Sequence, residues 1–165
     1  MIFKETIQKA VASQKEALNK ADKAISRELM EEIEMQNKFA IIISGIRRCG
    51  KSTLMKALAK HCRNYYYVSF EDLRLSGFEI QDFERLEEVF LEIYGKSQYF
   101  FFDELQVVEK WEIYIRKLLD QHKHVIITGS NASLLSRELG TKLTGRNLRY
   151  ELFPFSYSEF LSFLN

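Results

Sequence analysis

The chain has 165 residues, 46% of them hydrophobic and 28% charged, a length and apolar share that suit one domain around a single core. Lysine and arginine number 24 against 23 aspartates and glutamates, for a net charge of +1, so no overall field draws the molecule to nucleic acid or to an anionic membrane. The two cysteines, Cys49 and Cys62, are too few for a disulfide framework and form no CxxC pair; with no apolar signal core after Met1 and no run of membrane-spanning length, a soluble, cytoplasmic protein is expected.

From about residue 2 to 37 the sequence is charged, alanine-rich and free of glycine and proline. Ile7, Val11, Leu18, Ala21, Ile25, Leu29 and Ile33 recur at intervals of three, four or seven. That spacing predicts an amphipathic arm of two helices, with a break near residues 19–26 and Ser26 capping the second. Its simple role is to cover one side of the domain; docking into a partner's groove is the alternative.

At residue 39 the pattern changes. Residues 39–44 are an apolar run rich in isoleucine and closed by Ser44, which implies a strand buried on both faces, as in a parallel sheet. Helical composition over 53–61 is followed by a second strand over 65–70, a helix over 82–94 and a third strand over 98–102. A helix over 111–119, a fourth buried strand over 125–128, a helix over 131–139 and a fifth strand over 148–152 complete the series, and Pro154 then breaks regular structure before a short helical end. Strands alternating with helices predict an α/β fold: a doubly wound, mostly parallel five-stranded sheet flanked by helices over 38–165, with 1–37 as an N-terminal helical arm packed on it. A stop at Asn165 so soon after this turn suggests the front part of a longer protein.

Gly45-Ile46-Arg47-Arg48-Cys49-Gly50-Lys51-Ser52 matches G-x-x-x-x-G-K-[ST], directly after a buried strand and before a helix, the setting of a P-loop. Gly45 and Gly50 permit a backbone whose successive N–H groups surround an anion, and the helix adds its positive dipole end and unpaired amides. Lys51 supplies a compact charge for the β- and γ-phosphates, the Ser52 hydroxyl a ligand for Mg2+, and Thr53 a donor for the α-phosphate. The bound species expected is a nucleoside triphosphate with Mg2+.

The third strand ends in Phe102-Asp103-Glu104. In a parallel sheet the carboxyl ends of the strands face the ligand crevice. Asp103 is therefore expected beside the phosphate loop as the second magnesium residue, and Glu104 as the group that polarises an attacking water. A buried strand gains nothing from two terminal carboxylates unless a cation or polar network awaits them; the plainer alternative is that they open the next turn. Glu104 favours hydrolysis over a kinase, which aims its chemistry at an acceptor.

Thr128-Gly129-Ser130-Asn131 follows the fourth strand on the same side. Ser130 or Asn131 is placed to sense the γ-phosphate or orient water, and equally to cap the next helix. Arg146, after the glycine of Leu143-Thr144-Gly145-Arg146, is a candidate for the γ-phosphate in cis or from a neighbouring subunit, ahead of Arg137 and Arg149, with ion pairing as the ordinary alternative. Arg47 and Arg48 either touch phosphates or hold nearby acids. Cys49 is a small residue at a variable loop position, with sensitivity to oxidation as its second reading. His61, His122 and His124 have no ligand spacing with the cysteines, so no zinc site is expected, and Trp111 and the phenylalanines are assigned to packing.

These segments, together with Phe102-Asp103-Glu104-Leu105-Gln106 and Phe153-Pro154-Phe155-Ser156-Tyr157-Ser158-Glu159-Phe160, resemble prokaryotic P-loop ATPases of the AAA superfamily in which this domain precedes a second domain of unknown function. The likeness spans nearly everything from Phe39 onward, and the doubled arginine and the Leu-Thr-Gly-Arg segment are more specific than the phosphate motif alone. It implies ATP as the nucleotide, Lys51 and Ser52 as nucleotide and metal residues, Asp103 and Glu104 as the acidic motif and Ser130-Asn131 as the sensor. Mg-dependent ATP hydrolysis coupled to a protein partner or to a missing C-terminal domain is the leading function. A slow ATP/ADP switch and a small-molecule kinase are the alternatives, and membrane binding is not expected.

Overall fold

The computed structural model describes residues 1–20, 27–130, 143 and 145–164. Strands β1 (Ala40–Gly45), β2 (Tyr66–Ser69), β3 (Tyr99–Asp103), β4 (His124–Ser130) and β5 (Asn147–Leu152) form one sheet in the order β2-β3-β4-β1-β5. Every pairing is parallel. The expectation of a mostly parallel five-stranded sheet is met and exceeded.

Side chains alternate across this sheet and fill a core on each face. Ile42, Val68, Phe100, Phe102, Val125 and Ile127 point to one face. There they meet helices α1 (Lys4–Lys20), α4 (Asp82–Tyr94) and α5 (Trp111–Asp120). Ile41, Ile43, Tyr67, Phe101 and Ile126 point to the other face, under α3 (Lys51–Lys60) with its Leu54, Met55 and Leu58. Burial on both sides explains why β1 reads as continuous apolar sequence, since a one-sided sheet would show alternation. Phe83 stacks on Tyr114 at 3.9 Å between centroids and Tyr66 on Phe90 at 4.8 Å, so aromatic rings make much of the first layer.

The N-terminal arm differs from its expectation in the extent and the capping of its second helix. α1 is a single helix whose Ile7, Ala10 and Val11 are fully buried, and Gln14 exchanges hydrogen bonds with the Ser69 amide and carbonyl. The second helix, α2, is only Leu29–Glu32. It stops where Ile33 turns to extended backbone, although the apolar spacing runs on; Ile33 instead reaches the core from irregular chain. Ser26 lies outside the described residues, and the residue preceding α2 at its N-cap is Glu28, with no side-chain cap. The final helix, α6 (Tyr157–Leu164), follows the Pro154 turn. Among the described residues no helix is long and apolar enough to cross a membrane.

Candidate nucleotide-binding site

Strand order explains the site. β4 lies between β1, which carries the glycine loop, and β3, which carries the acids. The register sets Ile43 beside Thr128 and Phe102 beside Ile127, so Thr128 falls next to Asp103, on the face that α3 covers. Ser52, in the first turn of α3, comes down on the same row.

The result is a hydrogen-bonded cluster around a buried carboxylate. Asp103 is 2% exposed. Its Oδ1 accepts from Ser52 Oγ at 3.0 Å and from the Thr128 hydroxyl, and its Oδ2 accepts from the Tyr67 hydroxyl at 3.1 Å. Thr128 Oγ1 in turn accepts from the Glu104 amide at 3.1 Å. Burial, and then the Asp103 charge, hold the Tyr67 phenol far above its ordinary pKa, so it stays protonated and donates.

The loop before α3 is shaped by close contacts. A β-carbon on Gly45 would lie 2.3 Å from the Leu152 carbonyl oxygen and 2.8 Å from Cys49 Sγ. Gly50 has φ +98°, and Arg48 is also left-handed at +66°, a conformation that costs a non-glycine residue about 1–2 kcal/mol. Lys51 is 5% exposed, and its Nζ donates to the Gly45 and Ile46 carbonyls at 3.1 and 3.0 Å, folding the loop on itself.

A hollow of about 380 Å³ opens here, lined by Arg47, Arg48, Gly50, Lys51, Ser52, Thr53, Glu71 and Glu104. A larger one, of about 560 Å³, is lined by Phe78, Ile80, Val107 and Lys110 among others and contains none of the loop residues; the chemistry, not the size, singles out the smaller. Glu104 sits at φ +53°, another left-handed non-glycine residue, and its carboxylate accepts from Gln106 Nε2. Strain at such a position is a common mark of function.

Most of the candidate residues meet in one place. Gly50, Lys51, Ser52, Thr53, Arg47, Arg48 and Glu104 share the hollow, Asp103 lies against Ser52, and Ser130 is in register with Gly45. Ile46 is exposed and Cys49 buried. Arg146 is elsewhere: it precedes β5, its carbonyl accepts from the amide of Ala40 at the start of β1, and its guanidinium pairs with Asp120 at 2.7 Å. That is the opposite rim of the sheet, so within one chain Arg146 is not brought to the phosphate loop. Arg149 is exposed on edge strand β5, and Asn131 and Arg137 lie outside the described residues.

Sequence reasoning assigned no role to Tyr67, Glu71 or Gln106, which the structure brings to this cluster. Glu71 was within reach of the strand-end rule, since it falls just beyond β2. Tyr67 needed the register, which puts it opposite Phe101 and so diagonal to Asp103.

Ser52 and Asp103 present hard oxygen donors 3.0 Å apart. Among the described residues no group of three or more His, Cys, Asp or Glu side chains forms a cation site of its own. The hard oxygens of Ser52 and Asp103 suit a hard divalent cation such as Mg2+.

A family model described as an AAA domain matches residues 37–161. An uncharacterized protein of Methanocaldococcus jannaschii is 35% identical over the whole of this chain, which spans 37% of that protein. One from Haemophilus influenzae is 36% identical over 83% of this chain and 37% of its own length. The chain thus covers little more than a third of these relatives. Among solved structures, AMPPCP-bound DnaA from Aquifex aeolicus is similar at a TM-score of 0.52 and 18% identity, over 99% of this chain and 51% of that one, a likeness of fold.

Proposed function

Because the chain belongs to the AAA domain family and is a P-loop nucleotide-binding domain of ATPase type, we propose that it binds ATP with Mg2+ and hydrolyses it. The observation that carries this reading is the 3.0 Å contact between Ser52 Oγ and Asp103 Oδ1 at the head of a hollow that also holds Lys51 and Glu104. A bound Mg2+ would be held by Ser52 and Asp103 and would supply charge neutralisation on the phosphate oxygens.

The chain's own groups do the rest. The amides that open α3 and the Lys51 ammonium bind the phosphates. Asp103, with three side-chain donors fixed on it, keeps one orientation. Glu104 orients and deprotonates the attacking water, and Gln106 steers its carboxylate. Thr128 sets the spacing between the two acids, because its single oxygen donates to Asp103 and accepts from the Glu104 amide. Ser130 and Asn131 are proposed as the γ-phosphate sensor, and Arg146 contributes only from a neighbouring subunit, which requires an oligomer. Turnover is proposed to act on a protein partner or on the part of the protein beyond this domain.

The test is a nucleotide panel with Mg2+, measuring affinity and phosphate release together. Release from ATP with no acceptor added supports hydrolysis. Release that requires an added acceptor would convert the reading to a kinase, and tight binding without turnover would convert it to a switch.

A further inference from the structure

Phe153-Pro154-Phe155-Ser156-Tyr157-Ser158-Glu159-Phe160 has no place in the chemistry above, yet one of its side chains is deeply buried. Glu159 and Arg27 pair at 2.9 Å, and both side chains are 6% exposed. Such a pair is a poor device for stability alone, since apolar side chains of the same volume do as well or better. Its geometry gives it another purpose.

Glu159 belongs first to a capping box at the start of α6. Ser156 Oγ accepts from the Glu159 amide at 3.2 Å, and Glu159 Oε2 accepts from the Ser156 amide at 2.9 Å. The spare oxygen, Oε1, accepts from the Glu28 amide and from Arg27 Nε, both at 2.9 Å. Burial pushes the Glu159 carboxyl up, but Arg27 and these amides outweigh it and hold it below the ordinary glutamate value.

Arg27 spends its other nitrogens on two carbonyls. Nη2 donates to Phe153 at 2.6 Å, and Nη1 donates to Cys49 at 2.8 Å. Its guanidinium also lies over the Phe155 ring at 4.8 Å. The Cys49 carbonyl and the Gly50 N–H belong to one peptide unit, planar and trans, so they point in opposite directions. Holding the carbonyl on the Arg27 side therefore turns the Gly50 N–H away from Arg27. Gly50 lines the hollow and directly precedes the first turn of α3.

We infer that Arg27 is a positioning residue for the phosphate loop, and that its ion pair with Glu159 joins the loop to the start of α6, so that nucleotide binding is felt at residues 153–160. The inference rests on the proposal that this loop binds nucleotide. A lysine in place of Arg27 keeps a charge for Glu159 but cannot also reach the two carbonyls, since it lacks the planar fork.

Hydrogen–deuterium exchange of the whole chain, with and without a non-hydrolysable ATP analogue and Mg2+, tests it. In the unaltered protein exchange slows several-fold at residues 45–53 and also at 153–160. Arg27→Lys binds the analogue about tenfold more weakly, because of the two bonds it loses the charge-assisted one to Cys49 is the one that holds the loop. At saturation it still slows exchange at 45–53 but no longer at 153–160. Glu159→Gln spares the bonds to the Cys49 and Phe153 carbonyls, so it keeps the response beside Phe153 but loses it over residues 156–160, with a smaller loss of affinity; it serves if the lysine variant does not fold, and an undiminished response at 156–160 overturns the role of the ion pair. Protection confined to 45–53 in the unaltered protein overturns this inference and leaves nucleotide binding standing. So does Arg27→Lys with unaltered affinity and response. No binding at all by the unaltered protein sinks both.

Discussion

Replacing Tyr67 by phenylalanine removes one hydroxyl from the cluster on Asp103 and leaves the ring, and so the packing, in place. The hydroxyl donates at 3.1 Å to a carboxylate that is 2% exposed. A hydrogen bond to a charged group contributes about 1.5–3 kcal/mol. Asp103 keeps Ser52 and Thr128 as donors, so the lower value, about 1.5 kcal/mol, applies. At roughly 2–4 °C per kcal/mol for a chain of this size, the melting temperature should fall by about 3–6 °C. Thr128→Val removes a second donor to the same carboxylate, and the double variant should lose more than the sum of the two by about 0.5–1 kcal/mol, because only Ser52 is then left. The sign of the pH dependence follows from the raised phenol pKa. The fold favours the protonated form, so this part of the stability is whole below the ordinary tyrosine value of about 10 and is lost as pH rises beyond it. The gap between the unaltered protein and Tyr67→Phe should therefore narrow above about pH 10. A melting temperature within about 1 °C of the unaltered protein at neutral pH, or strict additivity with Thr128→Val, would refute the account of Asp103.

Lys51→Ala should remove the melting shift produced by ATP and Mg2+, about 2.7 kcal/mol at a hundred times the dissociation constant; thermal denaturation with and without ligand reads it, and a retained shift would place the phosphates elsewhere. Glu104→Gln keeps an acceptor for Gln106 and should lower phosphate release by about 10²–10³ with affinity kept within about twofold, as single-turnover assays and titration would report. Gly45→Ala drives a β-carbon to 2.3 Å from the Leu152 carbonyl; it should cost about 1–3 kcal/mol by urea titration and weaken nucleotide binding, and an undisturbed protein would contradict the close approach of β5 to the loop.

How much of this was legible in the sequence depends on whether a feature is local. The inner strands showed themselves because both faces of the sheet are covered there, which gives continuous apolar runs such as Ala40-Ile41-Ile42-Ile43; edge strand β5, Asn147–Leu152, is mostly exposed and has no such run. The phosphate loop is a fixed spacing between a strand and a helix. Strand order is not written locally, and without it the row from Ser52 through Thr128 to Asp103 and Tyr67 stays hidden: Tyr67 reads as one more aromatic among three in succession. Arg27 and Glu159 are 132 positions apart, and a charged residue in an arm reads as solvated surface. Half of that contact was nonetheless visible, since Ser156-Tyr157-Ser158-Glu159 has the spacing of a capping box.

Arg146 teaches the converse, that a rule has to be applied to every strand. The carboxyl ends of parallel strands face the ligand, and that rule put Asp103, at the end of β3, beside the loop. The same rule puts the residue before a strand on the far rim. Because the fifth strand, expected over 148–152 without a direction, runs parallel to β1, Arg146 lies away from the phosphates of its own chain, where it meets Asp120 and the start of β1. Only a second subunit presenting that rim to the hollow of the first could bring the guanidinium to a γ-phosphate. A role for Arg146 in turnover therefore predicts a rate per chain that rises with protein concentration, whereas the role of Glu104, beside Lys51 in one hollow, predicts none.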